Sequence, residues 1–140
     1  TVPVPALWSC YDLKDYDGFA WYRKSFFLNN NYEGKQLILL LGMIDDMDEV
    51  YLNGQHIGET GNIQDNPDEI HINDEDWQTL RAYTIPKNRL NIDGNNLLSV
   101  RVYDGTIYGG IYDGPIGITT RKRFQKWLKK KKSLFDFIFD

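Results

Sequence analysis

Apolar positions along this chain recur mostly with a period of two. From Ala20 to Leu28, Tyr22, Lys24, Phe26 and Leu28 fall on one side and Trp21, Arg23, Ser25 and Phe27 on the other. That alternation predicts a β-strand. Asn96 to Asp104 repeats it, with Leu98, Val100 and Val102 opposed by Ser99 and Arg101. Gln36 to Leu41 is instead a continuous apolar run, bounded by turn residues and too short for a typical helix, as expected of a strand buried on both sides. Glu49 to Gly58 holds two short runs around Asn53-Gly54. Asn-Gly is the pair that best accepts the positive φ values of a type I′ turn, so a tight hairpin is predicted there.

Punctuation separates these runs. Thr1 to Pro5 should be extended, and Asn29 to Asn31 with Glu33-Gly34 should turn. Glu59 to Gln78 is a long polar connection, of the kind that carries function or moves. Arg81 to Ile85 reads as a short strand stopped by Pro86, and Asp93-Gly94-Asn95 as a turn. Gly109 to Thr119, with Gly109, Gly110, Gly114 and Gly117, reads as a glycine-broken loop entering a last strand. Short strands at close spacing predict an all-β sandwich or barrel over residues 1–120.

The pattern changes at Arg121. From there Phe124, Trp127, Leu128, Phe135 and Ile138 share one helical face and lysines occupy the others, ending in the aromatic stretch from Leu134 to Phe139. Residues 121–140 hold eight basic and two acidic residues, so they carry +6 and residues 1–120 carry −10 of the net −4. An acidic body excludes nucleic acid as the main partner. The basic tail fits either a helix packed on the sandwich or a segment lying at lipid headgroups, a membrane-surface contact through 121–140. No apolar run reaches the roughly 18 residues that span a bilayer. Cys10 is alone, so no internal disulfide can form. A chain opening on Thr1 fits a processed or trimmed start.

Four phrases, in order, carry a family resemblance. They are Tyr16-Asp17-Gly18-Phe19-Ala20-Trp21-Tyr22-Arg23-Lys24-Ser25-Phe26, the stretch from Leu41-Gly42 through Asp45-Asp46 and Asp48-Glu49-Val50-Tyr51-Leu52-Asn53-Gly54 to Ile57-Gly58, Arg81 to Pro86 with Asn95 to Asp104, and Gly109-Gly110-Ile111 with Gly114-Pro115-Ile116. Over roughly residues 8 to 120 the chain resembles the N-terminal sugar-binding-like domain of family-two glycoside hydrolases, a domain also found beside sialate O-acetylesterases. The resemblance implies a galactose-binding-like jelly-roll β-sandwich, here followed by a basic amphipathic helix outside the family pattern. It implies a carbohydrate setting, extracellular or periplasmic, with or without a membrane anchor. It does not imply catalysis, because the family's catalytic glutamates belong to a barrel domain to which nothing here corresponds.

The residues themselves agree on the last point. Asp45, Asp46, Asp48 and Glu49 invite a metal or acid/base reading, but strand alternation sends Asp48 and Glu49 to opposite faces. Turn capping and backbone hydrogen bonding are the favoured roles. His56 and His71 have no thiol partner beyond Cys10 with which to build a zinc site. No nucleophile motif or phosphate-cradling loop occurs. No cofactor is expected; calcium suits loop oxygens in such a fold, but no motif demands it. The candidate ligand-binding residues are Trp77, Tyr108 and Tyr112, rings on which a sugar stacks, with Asp113, Asp104 and Asn73 to bond its hydroxyls. The reading is a non-catalytic carbohydrate-binding or accessory module, whose partner is a glycan or a neighbouring catalytic domain. Its alternative is a structural or sensory ectodomain with no free sugar ligand.

Overall fold

The computed structural model describes residues 1–139, with side chains through Leu134. Apart from short 3-10 turns, the described residues form seven strands and one α-helix: β1 (Gly18–Leu28), β2 (Leu37–Asp45), β3 (Met47–Leu52), β4 (Gln55–Thr60), β5 (Arg81–Ile85), β6 (Gly94–Asp104), β7 (Gly110–Thr120) and α1 (Arg121–Phe139). They build two antiparallel sheets, one ordered β1-β6-β3-β4 and the other β5-β2-β7. The fold is an all-β sandwich.

Alternation decides what each sheet buries. The predicted inner face of β1 supplies Tyr22, Phe26 and Leu28, while Trp21 and Phe27 stay exposed. Val100 and Val102 of β6, Val50 and Leu52 of β3, and Leu37, Leu39, Leu41 and Ile44 of β2 meet between the sheets. β2 is the middle strand of its sheet, and Ile38 and Leu40 on its other side are buried too, at 4% and 8% exposure. That double burial explains the unbroken apolar run.

Asn53 and Gly54 take φ values of 50° and 77°, the left-handed pair expected of the hairpin between β3 and β4. The turn is also anchored sideways. Asn53 Nδ2 donates to the Arg89 carbonyl and to Asn96 Oδ1, both at 2.9 Å, and its Oδ1 accepts from the Leu97 amide at 2.9 Å. Asn53→Ala should therefore cost about 2 kcal/mol, combining left-handed strain with lost hydrogen bonds. Asn53→Gly, which keeps the backbone freedom, should cost less; urea denaturation of both variants measures the two parts.

One expectation changes. The last strand is present but starts earlier than the glycines suggest: residues 110–120 form one strand, β7, with no loop within it. It lies at an edge of its sheet, where glycine and proline are tolerated, and pairs with β2 through two register shifts. The N-terminal segment runs beside it, with Ala6 N–H on the Ile111 carbonyl (2.8 Å) and Trp8 N–H on the Gly109 carbonyl (2.9 Å). Trp8, 2% exposed, fills the space that a side chain at Gly109 would need, and its indole N–H donates to Tyr22 Oη at 2.8 Å.

α1 follows β7 directly. The Arg121 amide donates to the Gln36 carbonyl at 2.9 Å, and Thr120 Oγ1 accepts from the Arg123 amide at 3.3 Å. Phe124 and Trp127 stack at 5.9 Å and Lys131 lies 5.1 Å from the Trp127 ring. The expected contributions of the Phe135 and Ile138 side chains fall outside the described residues. Among the described residues no helix is long and apolar enough to cross a membrane.

Candidate functional site

One end of the sandwich gathers the corner between β2 and β3, the end of β6 and the long connection from β4 to β5. Its fixed point is Arg81, whose side chain is fully buried. Arg81 Nε donates to Asp48 Oδ1 at 2.6 Å. Nη2 donates to the Asp46 carbonyl at 2.8 Å, and Nη1 to the carbonyls of Asp76 and of Thr79, the latter at 2.7 Å. The planar fork thus ties the β2–β3 corner to the turn at 76–79. The second oxygen of Asp48 accepts from the Tyr83 hydroxyl at 2.6 Å, and that hydroxyl also meets Thr60 Oγ1 at 2.7 Å. Burial pushes the Asp48 carboxyl up, while the Arg81 charge and the Tyr83 hydroxyl pull it back. Burial and the Asp48 charge together push the Tyr83 hydroxyl up.

The four acids between Asp45 and Glu49 separate. Asp48 goes inward to Arg81, and Glu49 goes outward to Arg101 at 3.4 Å, as alternation requires. Asp45 and Asp46 instead meet Asp104, with one carboxylate oxygen from each lying within 4.8 Å of the others. Asp46 Oδ2 accepts from the Gly105 amide at 3.1 Å. Asp104 is fully buried, and neither of its carboxylate oxygens has a hydrogen-bond partner. Burial, then contact with Asp46, pushes the Asp45 carboxyl up to about 7, against the nearby Arg81 charge. Burial, then the charges of Asp45 and Asp46, pushes Asp104 to about 8, and the Thr106 backbone amide, which approaches without forming a hydrogen bond, pulls the other way.

The six residues named from sequence do not form one pocket. Tyr112 and Trp77 are brought together, the Tyr112 hydroxyl donating to the Trp77 carbonyl at 2.6 Å while the indole remains 44% exposed. Asn73 belongs to the same turn, its carbonyl accepting from the Asp76 amide at 3.0 Å. Tyr108, 57% exposed, stands on the separate loop between β6 and β7. Asp113 is exposed and its Oδ1 accepts from the amide of Gly114, its own neighbour, at 2.8 Å. Asp104 belongs to the buried acid cluster, where no sugar hydroxyl reaches it. A groove of about 900 Å³ lies between residues 29–36 and the start of α1, and one of about 550 Å³ lies beside Val2 and Val4. None of the six lines either.

A second aromatic surface was not singled out from sequence. On the outer face of the four-stranded sheet, Trp21 lies 5.8 Å from Tyr51, and Tyr51 lies 5.4 Å from His56. Arg101 covers Phe19 at 4.3 Å, and Arg23 lies 5.2 Å from Trp21. The signal was present as the outward half of the β1 alternation, but rings on that half could have belonged to either face of a sheet.

No family profile and no curated protein matches the chain. Solved structures do. A β-glucuronidase of Bacteroides uniformis is 27% identical, with a TM-score of 0.63, over 81% of this chain and 13% of that one. A β-glucuronidase of Dictyoglomus thermophilum (24% identical, TM-score 0.58; 74% and 16% covered) and a glycosyl hydrolase family 2 member from Bacteroides cellulosilyticus (21%, 0.59; 79% and 15%) share the fold. The chain therefore spans well under a fifth of each, and the likeness is to a small part of those proteins, consistent with a family-two N-terminal domain.

Proposed function

We propose that this chain is a non-catalytic accessory module of a larger glycan-active protein and that it touches carbohydrate through the Trp77 end of the sandwich. The observation that carries the reading is the lopsided match, most of this chain against a small part of a β-glucuronidase. The three carboxylates that converge here are not presented to a sugar, since Asp46 and Asp104 are buried at 6% and 0% exposure.

Direct glycan contact rests on Trp77. Its indole is exposed beside polar groups of the 73–79 turn, and that turn is held by Arg81 and Tyr112. A pre-positioned ring loses little freedom when a sugar stacks on it. The glycosidase neighbours favour a glycosidase parent over an esterase one, and an extracellular or periplasmic setting goes with such a parent.

A glycan-array screen of the chain, followed by calorimetry on any ligand found, tests this. Trp77→Ala should weaken binding about tenfold, the loss of one stacked ring. Trp21→Ala should leave it unchanged. The reverse result would move the contact to the outer sheet face. Folded protein that binds no glycan would overturn direct sugar contact and leave docking against a neighbouring domain as the role.

A further inference from the structure

We propose that Asp45, Asp46 and Asp104 form a calcium site that fastens the β2–β3 corner to the end of β6. The fold assembles this cluster from distant parts of the chain. β3 runs antiparallel to β6, with Met47 opposite Tyr103, so the residues just before β3 meet the residue that ends β6. One oxygen from each carboxylate falls within 4.8 Å of the other two.

Asp104 shows that the group wants a partner. It is 0% exposed, and both its oxygens are buried without a hydrogen bond. An ionised carboxylate is an acceptor only, and burying one unpaired is among the costliest arrangements a fold can hold. No described residue supplies a cation to it. Arg81 is the nearby positive charge, but its guanidinium donates to Asp48 and to the carbonyls of Asp46, Asp76 and Thr79. The ion pairs among the described residues are His56–Glu59, Arg81–Asp48, Arg101–Glu49 and Arg101–Asp65, none of which reaches the cluster.

The donor set selects the ion. All three ligands are hard carboxylate oxygens, with no imidazole or thiolate in the cluster, which disfavours zinc and copper. Calcium takes oxygen ligands at about 2.3–2.6 Å in flexible geometry, whereas magnesium demands a near-ideal octahedron and keeps several of its waters, which suits a buried cluster poorly. Three carboxylate oxygens within 4.8 Å of one another can close on one calcium ion. Charge agrees, since a divalent ion offsets two of the three carboxylates.

The test is thermal unfolding of chelator-stripped protein at neutral pH in EDTA, in millimolar calcium and in millimolar magnesium. Calcium should raise the melting temperature by about 5–10 °C, the shift expected when a ligand is far above its Kd. Magnesium should do less. Asp104→Asn should abolish the calcium shift without lowering stability in EDTA, because it removes an unpartnered buried charge and keeps the shape. Terbium luminescence sensitised by the nearby tyrosines, displaced by calcium, gives a direct binding readout. No melting shift and no terbium signal would overturn the site and mean that the carboxylates share protons. An undiminished shift in Asp104→Asn would overturn it by placing the ion elsewhere, and an equal magnesium shift would overturn the choice of calcium. Should Asp104→Asn not fold, Asp45→Asn, on the half-buried ligand, reads the same outcomes.

Discussion

Replacing Arg81 with alanine should cost about 3–5 kcal/mol, a large part of the roughly 5–15 kcal/mol available to a domain of this kind. Truncation strands a carboxylate as well as removing a pair. Asp48 is 0% exposed and keeps only the Tyr83 hydroxyl, so its charge stays in the interior without compensation. The carbonyls of Asp46, Asp76 and Thr79 lose their donor at the same time. An apolar pair of similar volume, Arg81→Met with Asp48→Leu, should recover much of the loss, because the penalty lies mainly in the orphaned partner. Guanidinium denaturation of the single and double variants gives the comparison. A single-variant loss below about 1 kcal/mol would show that the buried pair is not the anchor of this end.

The same variant should loosen the proposed sugar-binding edge. Arg81 holds the 76–79 turn from below, and the Tyr112 hydroxyl holds the Trp77 carbonyl from the side. With the first tie gone, amide exchange across residues 73–80 should rise well before global unfolding. The hub that stabilises the sandwich also positions Trp77.

How much of this could be read from sequence follows physical range. β5 was legible to the residue, because Arg81 to Ile85 is bounded by a loop and by Pro86, both local signals. The Asn53-Gly54 hairpin and the splitting of Asp48 from Glu49 were legible for the same reason: turn conformation and alternation act between neighbours. The last strand was expected but not its early start, because Gly110, Gly114, Pro115 and Gly117 suggest a break, yet at a sheet edge the missing donor and missing side chains disrupt little. The acid cluster was out of reach. Asp46 and Asp104 meet only because β3 lies next to β6, a pairing that neither segment encodes by itself. Arg81 gave no sign of burial either; a charged residue opening a strand reads as surface until its buried acid is known.

Gly42→Ala should be the most damaging single-methyl change, costing about 3 kcal/mol or more. Gly42 has a φ of +64°, where an added side chain alone costs roughly 1–2 kcal/mol. Space is the larger problem. A Cβ there would lie 1.8 Å from the Asp113 carbonyl oxygen and 2.9 Å from Gly114 Cα. Both are backbone atoms of β7, so no rotamer change relieves the contact and the two strands must part. β2 is the middle strand of its sheet, and its register shifts against β7 lie between Leu41 and Ile44. A displacement there is carried straight to Asp45. Gly34→Ala is the matched control, with a φ of +69° and nothing within 4 Å of the added atom. It should show only the conformational part, and the difference between the two variants in urea isolates the steric part. Equal losses would mean that β7 yields freely at Asp113, and the corner that carries the acid cluster would then be softer than its burial implies.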